Sequence, residues 1–322
     1  MDESLLKTSR NIAKLFPVAK DPHASVSSVM NFLNCRRSAY YHSYRRIVIK
    51  KARLSLEMGT IWHAALATWY STKSTTRAKT EIRNVIKELV KDGFSSFNTP
   101  HEIEVATATQ MGMLLGYTKA HKEDLKNWDW LDVEMEFEIP NIFGLGILFH
   151  GFIDGVIYID KGPMKGLWIV EHKSTRDLNF FTLETVKDSF QALCYIWAYY
   201  TLTGDKPKGI IWNAVRKPSK RLKKNQTTED FCQELKEDYV ARPDFYFFRE
   251  QPFIPLSTIM NWEEQFKRIM ADVAICFNSP QNLSLWYKNT SMCRQYGGCE
   301  FAPLCQRGEK RSTLALYRSI DK

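Results

Sequence analysis

From Leu131 to Ser174 three consecutive segments read as strands. "LDVEMEFEIP" alternates apolar and acidic side chains, and "ILFHGFIDGVIYID" and "GLWIVEHKS" follow as apolar runs separated by the turn signal "KGPMKG". Side chains two apart share one face of a strand, so these runs predict an antiparallel meander. A long amphipathic helix is predicted over "NFFTLETVKDSFQALCYIWAYYTLTG", ending at Gly204, and "KGIIWNAVRK" returns to strand. Three strands, a helix and a strand make an α/β core. The acidic face of the first strand, Glu134, Glu136 and Glu138, reads as solvated and is assigned no chemistry.

Helices open the chain. "VSSVMNFLNCRRSAYYHSYRR" has helical apolar spacing with Ser27 or Ser28 as N-cap, and a second helix runs through "LEMGTIWHAALATWYS". Ala78 to Lys126 stays helical, broken at the loop "DGFSSFNTP". Residues 216–244 are highly charged and poor in aliphatics, which predicts an insertion or mobile loop. "FYFFREQPFIP" then reads as strand and "LSTIMNWEEQFKRIMADVAICFN" as helix. The expected organisation is a single domain over 1–322, with a mainly helical part at 1–130, a core at 131–215, the charged insertion, and a strand, a helix and a cysteine-rich tail at 245–322.

With 322 residues, 44% of them hydrophobic, the chain can bury the core of one large domain or two modest ones. Lys and Arg exceed Asp and Glu by 45 to 36, for a net charge of +9, which suits a polyanion partner but is equally met by a solvated lysine face. No apolar run reaches the roughly 18 residues of a membrane span, and the N-terminus lacks a secretory signal's apolar centre. The expectation is a cytoplasmic protein with no membrane partner. No Gly-x-x-x-x-Gly-Lys-Ser/Thr loop marks a fused ATPase.

Asp154 and Glu171 sit inside apolar strands, and Lys173 shares the face of Glu171 while His172 points the other way. If the two strands pair antiparallel, Asp154 lies beside Glu171, and two carboxylates that close repel unless a cation separates them. Hard oxygen ligands suit Mg²⁺ or Mn²⁺, and an ammonium beside the metal can hold or activate a water. A structural Asp–Lys or Glu–Lys ion pair accounts for the spacing equally well.

Asp154 followed by Glu171-His172-Lys173 resembles the PD-(D/E)xK nuclease motif. Two flanking elements are similar to its RecB-like exonuclease branch: Gly59-x-x-x-His63 in "GTIWHAA", and Gln191-x-x-x-Tyr195 in "QALCY". The motif's Pro-Asp is Ile153-Asp154 here, within the Gly-x-x-Asp form usual in that branch. The resemblance runs from about Ser27 to Cys305. It implies a restriction-endonuclease-like core, a central mixed sheet with flanking helices. It further implies a metal site of His63, Asp154, Glu171 and the backbone carbonyl of His172, with Lys173 as catalytic lysine. Gln191 and Tyr195, one helical turn apart, would touch DNA phosphate or hold the lysine and the active-site water. Read singly, His63 is a core histidine and the Gln–Tyr pair a polar patch; the order and spacing together favour the site.

Of seven cysteines, Cys194, Cys232 and Cys276 sit singly in helical stretches and read as small buried hydrophobes. Cys293-x5-Cys299-x5-Cys305, with glycines and Pro303 to turn the chain, forms a thiolate cage lacking one ligand, for which Cys35 in "FLNCRRSAYYHSY" is the candidate. That segment resembles the early Cys-Pro/Arg-x-x-x-Tyr element of the iron–sulfur members of the branch, AddB and CRISPR-associated nucleases among them. The resemblance implies a [4Fe-4S] cluster pinning the C-terminal tail to the N-terminal helix. The spacing departs from their tighter Cys-x-x-Cys, which leaves a structural Zn²⁺ as the alternative.

The favoured function is a Mg²⁺- or Mn²⁺-dependent deoxyribonuclease, an exonuclease on single strands or DNA ends in bacterial, archaeal or phage-related recombination, repair or processing. A recombinase, helicase or CRISPR adaptation protein is the implied partner class. Trp62, Trp69 and Tyr70 suit base stacking, although such aromatics are more often core. The competing readings are a catalytically idle DNA-binding or recombination scaffold, and an RNA-binding protein with a zinc module.

Overall fold

The computed structural model describes residues 22–320, Asp92 excepted. In chain order the strands and longer helices are β1 (His23–Ser25), α1 (Val26–Asn34), β2 (Ile47–Ile49), α2 (Leu54–Thr72), α3 (Thr75–Lys91), α4 (Pro100–Ala120), β3 (Asp129–Ile139), β4 (Leu148–Ile159), β5 (Gly166–Thr175), α5 (Phe190–Thr203), β6 (Ile210–Arg216), α6 (Thr228–Ala241), β7 (Phe247–Glu250), α7 (Leu256–Asn278) and β8 (Tyr317–Ser319). Contacts divide the chain into two compact units: residues up to 50 with 138–151 and 261 onward, and residues 51–137 with 152–260.

In the first unit β1 pairs in parallel with Leu148–His150, the opening residues of β4. Ser25, not Ser27 or Ser28, caps α1, and Ser28 completes the capping box by accepting from the Ser25 amide at 2.7 Å. The cap sits earlier than expected because β1 delivers an extended backbone that stops at Ser25. Helix α1 buries Val26, Val29 and Phe32. The C-terminal segment returns onto it. Trp286 is fully buried against Phe32, Tyr40 and Phe277, with ring centroids 6.2, 5.5 and 5.8 Å away. Arg37 donates through its amide to Tyr287 O (3.1 Å) and through Nε to Trp286 O (2.8 Å), and β2 pairs antiparallel with β8. Burial of this aromatic cluster offsets the entropy of closing a loop of such length.

The second unit carries the rest of the sheet. β4 and β5 are antiparallel, Gly155 opposite Val170; β5 and β6 are parallel; β6 and β7 are antiparallel; and β3 pairs with β4. The sheet is therefore mixed, with helices α2, α3 and α4 over one face. Trp62, Leu66 and Trp69 of α2, Ile82 and Ile86 of α3, and Met113, Leu114 and Tyr117 of α4 pack there against Trp168, Val170, Ile211 and Val215. Trp62, Trp69 and Tyr70 are 1, 2 and 1% exposed, so they are core side chains and not base platforms.

Residues 216–244, expected as an insertion or mobile loop, contain α6. Its buried side chains Phe231, Leu235 and Tyr239 recur every four residues, a narrow apolar stripe on an otherwise charged helix. The stripe lies so close to α4 that a Cβ on Gly112 would come within 2.6 Å of Leu235 Cβ, and one on Gly116 would run into Tyr239. The long helix expected through 179–204 is also interrupted. A short turn covers Leu183–Lys187, and α5 begins afresh after Ser189, whose hydroxyl caps the Ala192 amide. It ends at Gly204 as expected, with φ 78°. Among the described residues no helix is long and apolar enough to cross a membrane.

Candidate active site

Alternation along β5 sends Trp168, Val170 and His172 to the face under α2–α4, and Glu171 and Lys173 to the other. Continuing the β4–β5 register one step past Gly155 and Val170 sets Asp154 opposite Glu171. Directly opposed residues share a face, and the Asp154 charge acts on Glu171. Glu171 is pushed up to about 7, first by complete burial and then by the Asp154 charge. Its Oε2 accepts no hydrogen bond. The ammonium of Lys173 is its ion-pair partner.

Asp154 is held from two sides. Its Oδ2 accepts the His172 backbone N–H at 2.7 Å, and its Oδ1 lies 3.2 Å from Nδ1 of His63 on α2. Burial works against charging either member of that pair, but their mutual attraction wins: the Asp154 carboxyl is lowered and the His63 imidazole raised to about 9. The His63–Asp154 contact thus stabilises the charge of each partner.

Lys173 Nζ donates to Gln191 Oε1 at 2.8 Å, and Gln191 Nε2 donates to the Tyr195 hydroxyl at 3.0 Å. Both partners lie in the first turns of α5, so the Ser189 cap that starts this helix also sets their reach. Lys173 Nζ stands 5.4 Å from the centre of the Trp212 ring. His63, Asp154, Glu171, Lys173, Gln191 and Tyr195 thus come together in the second unit. The His172 side chain does not join them; it is buried on the opposite face and kept neutral, pushed down to about 3 by burial.

One member was missed. Glu134, assigned to the solvated face of β3, places a carboxylate oxygen within 4.8 Å of ligand atoms of His63 and Asp154. Its backbone has φ 55°, in the left-handed region, as at a β-bulge, and the strand's alternation breaks there. Glu136 and Glu138 stay exposed while Glu134 turns inward. Burial, and then the Asp154 charge, push its carboxyl up to about 7. A period-two reading carries no signal of a left-handed backbone at one position.

In the first unit Cys35, Cys293, Cys299 and Cys305 are half-buried free thiols. Cys35 Sγ accepts the Asn289 amide at 3.4 Å, and the Cys299 amide donates to Cys293 O at 3.0 Å. Burial raises the Cys299 thiol and lifts that of Cys305 to about 11; Cys35 and Cys293 add to the first effect, Cys35 and Cys299 to the second. Cys194 and Cys276 are buried as expected, and Cys232 is half-buried.

His63, Glu134 and Asp154 bring ligand atoms within 4.8 Å of one another and could hold a metal ion, beside the Glu171–Lys173 ion pair. No curated protein matches the sequence. The profile of the PD-(D/E)XK nuclease superfamily matches residues 23–306, most of the chain, and the chain belongs to that superfamily.

Proposed function

We propose that the protein is a Mg²⁺- or Mn²⁺-dependent deoxyribonuclease, an exonuclease acting on single strands or DNA ends inside the cell. The observation that carries this reading is the cluster itself: Asp154 and Glu171 at opposed positions of paired strands, with His63 and Lys173 in hydrogen-bond or ion-pair contact with them. The residues present fit a divalent cation, since Glu171 Oε2 is buried without a donor and Glu134 and His63 converge on Asp154. His63, Glu134, Asp154, Glu171 and the His172 carbonyl would hold it. A bound cation supplies charge stabilisation at the phosphate and acidifies a coordinated water.

The chain's own groups do the remaining work. Lys173, an ammonium, donates a hydrogen bond that holds and orients the attacking water. Gln191 fixes Lys173, and Tyr195 fixes Gln191. Attack on phosphorus expels the 3′-oxygen, leaving 5′-phosphate and 3′-hydroxyl ends. Arg176, Arg216 and Lys217 lie where β5 and β6 end, past Lys173, and suit a phosphate backbone. A helicase, recombinase or CRISPR adaptation protein that exposes DNA ends would feed such a site.

The test is incubation of the purified protein with end-labelled single- and double-stranded DNA, with and without Mn²⁺. Metal-dependent shortening of the label is expected. Binding without cutting supports the idle scaffold instead, and binding of RNA alone supports the RNA-binding alternative. For the added ligand, Glu134→Gln should raise the Mn²⁺ concentration for half-maximal cutting roughly 10–100-fold; an unchanged metal dependence removes Glu134 from the set.

For the four cysteines we read a [4Fe-4S] cluster with a structural role, Zn²⁺ being the alternative. What supports it is four half-buried free thiols in one unit, with Cys35 and Cys293 adding to the raised proton affinity of Cys299, an effect that a bound cation would relieve. Anaerobically purified protein should be brown, and Cys299→Ser should bleach it and lower its melting temperature. A colourless, zinc-loaded wild type overturns the cluster.

A further inference from the structure

On the face of β5 away from Lys173, buried polar side chains close a ring around His172. Asp124 accepts Nη1 and Nη2 of Arg249 at 2.9 and 2.8 Å and the Tyr70 hydroxyl at 3.0 Å. Arg249 also donates through Nε and Nη2 to Asn213 Oδ1, at 3.2 and 3.1 Å. The other end of that amide meets His172 Nδ1 at 2.9 Å and the Tyr117 hydroxyl. The Tyr70 ring then lies parallel to the His172 imidazole, with 5.5 Å between centroids and 12° between planes. Asp124, Asn213 and His172 are 8, 2 and 3% exposed.

Charge dictates how this ring is oriented. A guanidinium has only donors, so the Asn213 oxygen must face Arg249 and its NH₂ must face His172. His172 Nδ1 is then a bare acceptor, and the ring proton sits on Nε2, which has no protein partner. Arg249 thereby sets the His172 tautomer through one amide. His172 in turn lies between Glu171 and Lys173, and its backbone N–H holds Asp154.

We propose that Asn213, held by Arg249 and Asp124, is a positioning residue. It locks the His172 side chain, and with it the stretch of main chain that aims Asp154 and Glu171 at one cation and Lys173 at the attacking water. The inference rests on the metal-dependent reading above. Apolar residues fill such a space at no loss of stability, so a buried ion pair is a poor device for stability alone. A polar network in which one charge fixes each successive partner instead selects a single arrangement, and catalytic geometry tolerates shifts of only about 0.5 Å.

Two substitutions separate positioning from packing. Asn213→Leu keeps the volume and loses every hydrogen bond. Asn213→Asp accepts from Arg249 and, once the imidazole proton moves to Nδ1, from His172 as well. Mn²⁺ binding is measured by calorimetry without nucleic acid, and the His172 tautomer by ¹⁵N NMR of the metal-free protein. Asn213→Leu should weaken Mn²⁺ about tenfold and lower kcat with KM for DNA unchanged, while Asn213→Asp should stay within about threefold of wild-type Mn²⁺ affinity. The ring proton should move from Nε2 in wild type to Nδ1 in Asn213→Asp. Wild-type Mn²⁺ affinity in folded Asn213→Leu, equal loss in both variants, or an unmoved proton overturns the proposal. Should Asn213→Leu fail to fold, the Asn213→Asp affinity and tautomer decide it. A wild type that follows the metal and tautomer pattern yet cuts no DNA overturns the nuclease reading and upholds the positioning role; one that binds no Mn²⁺ overturns both.

Discussion

Replacing Lys173 by Met is expected to lower DNA cleavage roughly 10³-fold, the scale of losing a charged group aimed at the reacting atoms. Mn²⁺ binding should persist. The Lys173 side chain is 29% exposed and donates to Gln191, so it can reach a water while anchored. Without it, Glu171 keeps no counter-charge of its own in a fully buried place, and its carboxyl, already pushed up to about 7, rises further until a cation neutralises it. Stability of the variant should therefore respond more strongly to added Mn²⁺ than that of wild type. Cleavage within tenfold of wild type, measured on end-labelled DNA at saturating Mn²⁺, would remove Lys173 from the chemistry.

The largest loss of stability is expected from Asp124→Ala. The Arg249 side chain is 17% exposed and is bonded through two parallel N–H groups to Asp124, which is 10% exposed; removing the acceptor leaves a guanidinium without its counter-charge beside Tyr70, Tyr117 and Trp128. Breaking a fully buried pair from one side costs about 3–5 kcal/mol, and the partial exposure of Arg249 places this loss at the lower end, about 3 kcal/mol. Urea denaturation should show that loss, and the paired change Asp124→Leu with Arg249→Met should recover most of it, because an apolar pair needs no counter-charge. An Asp124→Ala protein as stable as wild type would show that water reaches Arg249.

The strands between Leu131 and Ser174 were legible because the middles of β4 and β5 are buried on both faces, at residues 153–157 and 168–172, and so read as apolar runs between turn signals. Strand alternation located Glu171 and Lys173 on one face and His172 on the other. Helix α7 was read to its ends, since "LSTIMNWEEQFKRIMADVAICFN" is a continuous helical pattern after Pro255. Helix α6 was not, because three buried residues among fourteen are outvoted by charge when composition is weighed before spacing. The split before α5 was hidden by a serine that serves as cap only when the chain turns there.

Local pattern, then, carried what local physics controls: which segments form strands, where α5 and α7 stop, and the order in which His63, Asp154, Glu171, Lys173 and Gln191 occur. Tertiary structure decided what depends on partners far along the chain. Glu134 joins Asp154 because a positive φ reverses one strand position. Asp124, Asn213 and Arg249 meet behind His172 because three separate elements bring them there. A polar side chain has no preferred face of its own; it is placed by whatever charge or donor the fold puts opposite it, and that neighbour lies outside any local window of sequence.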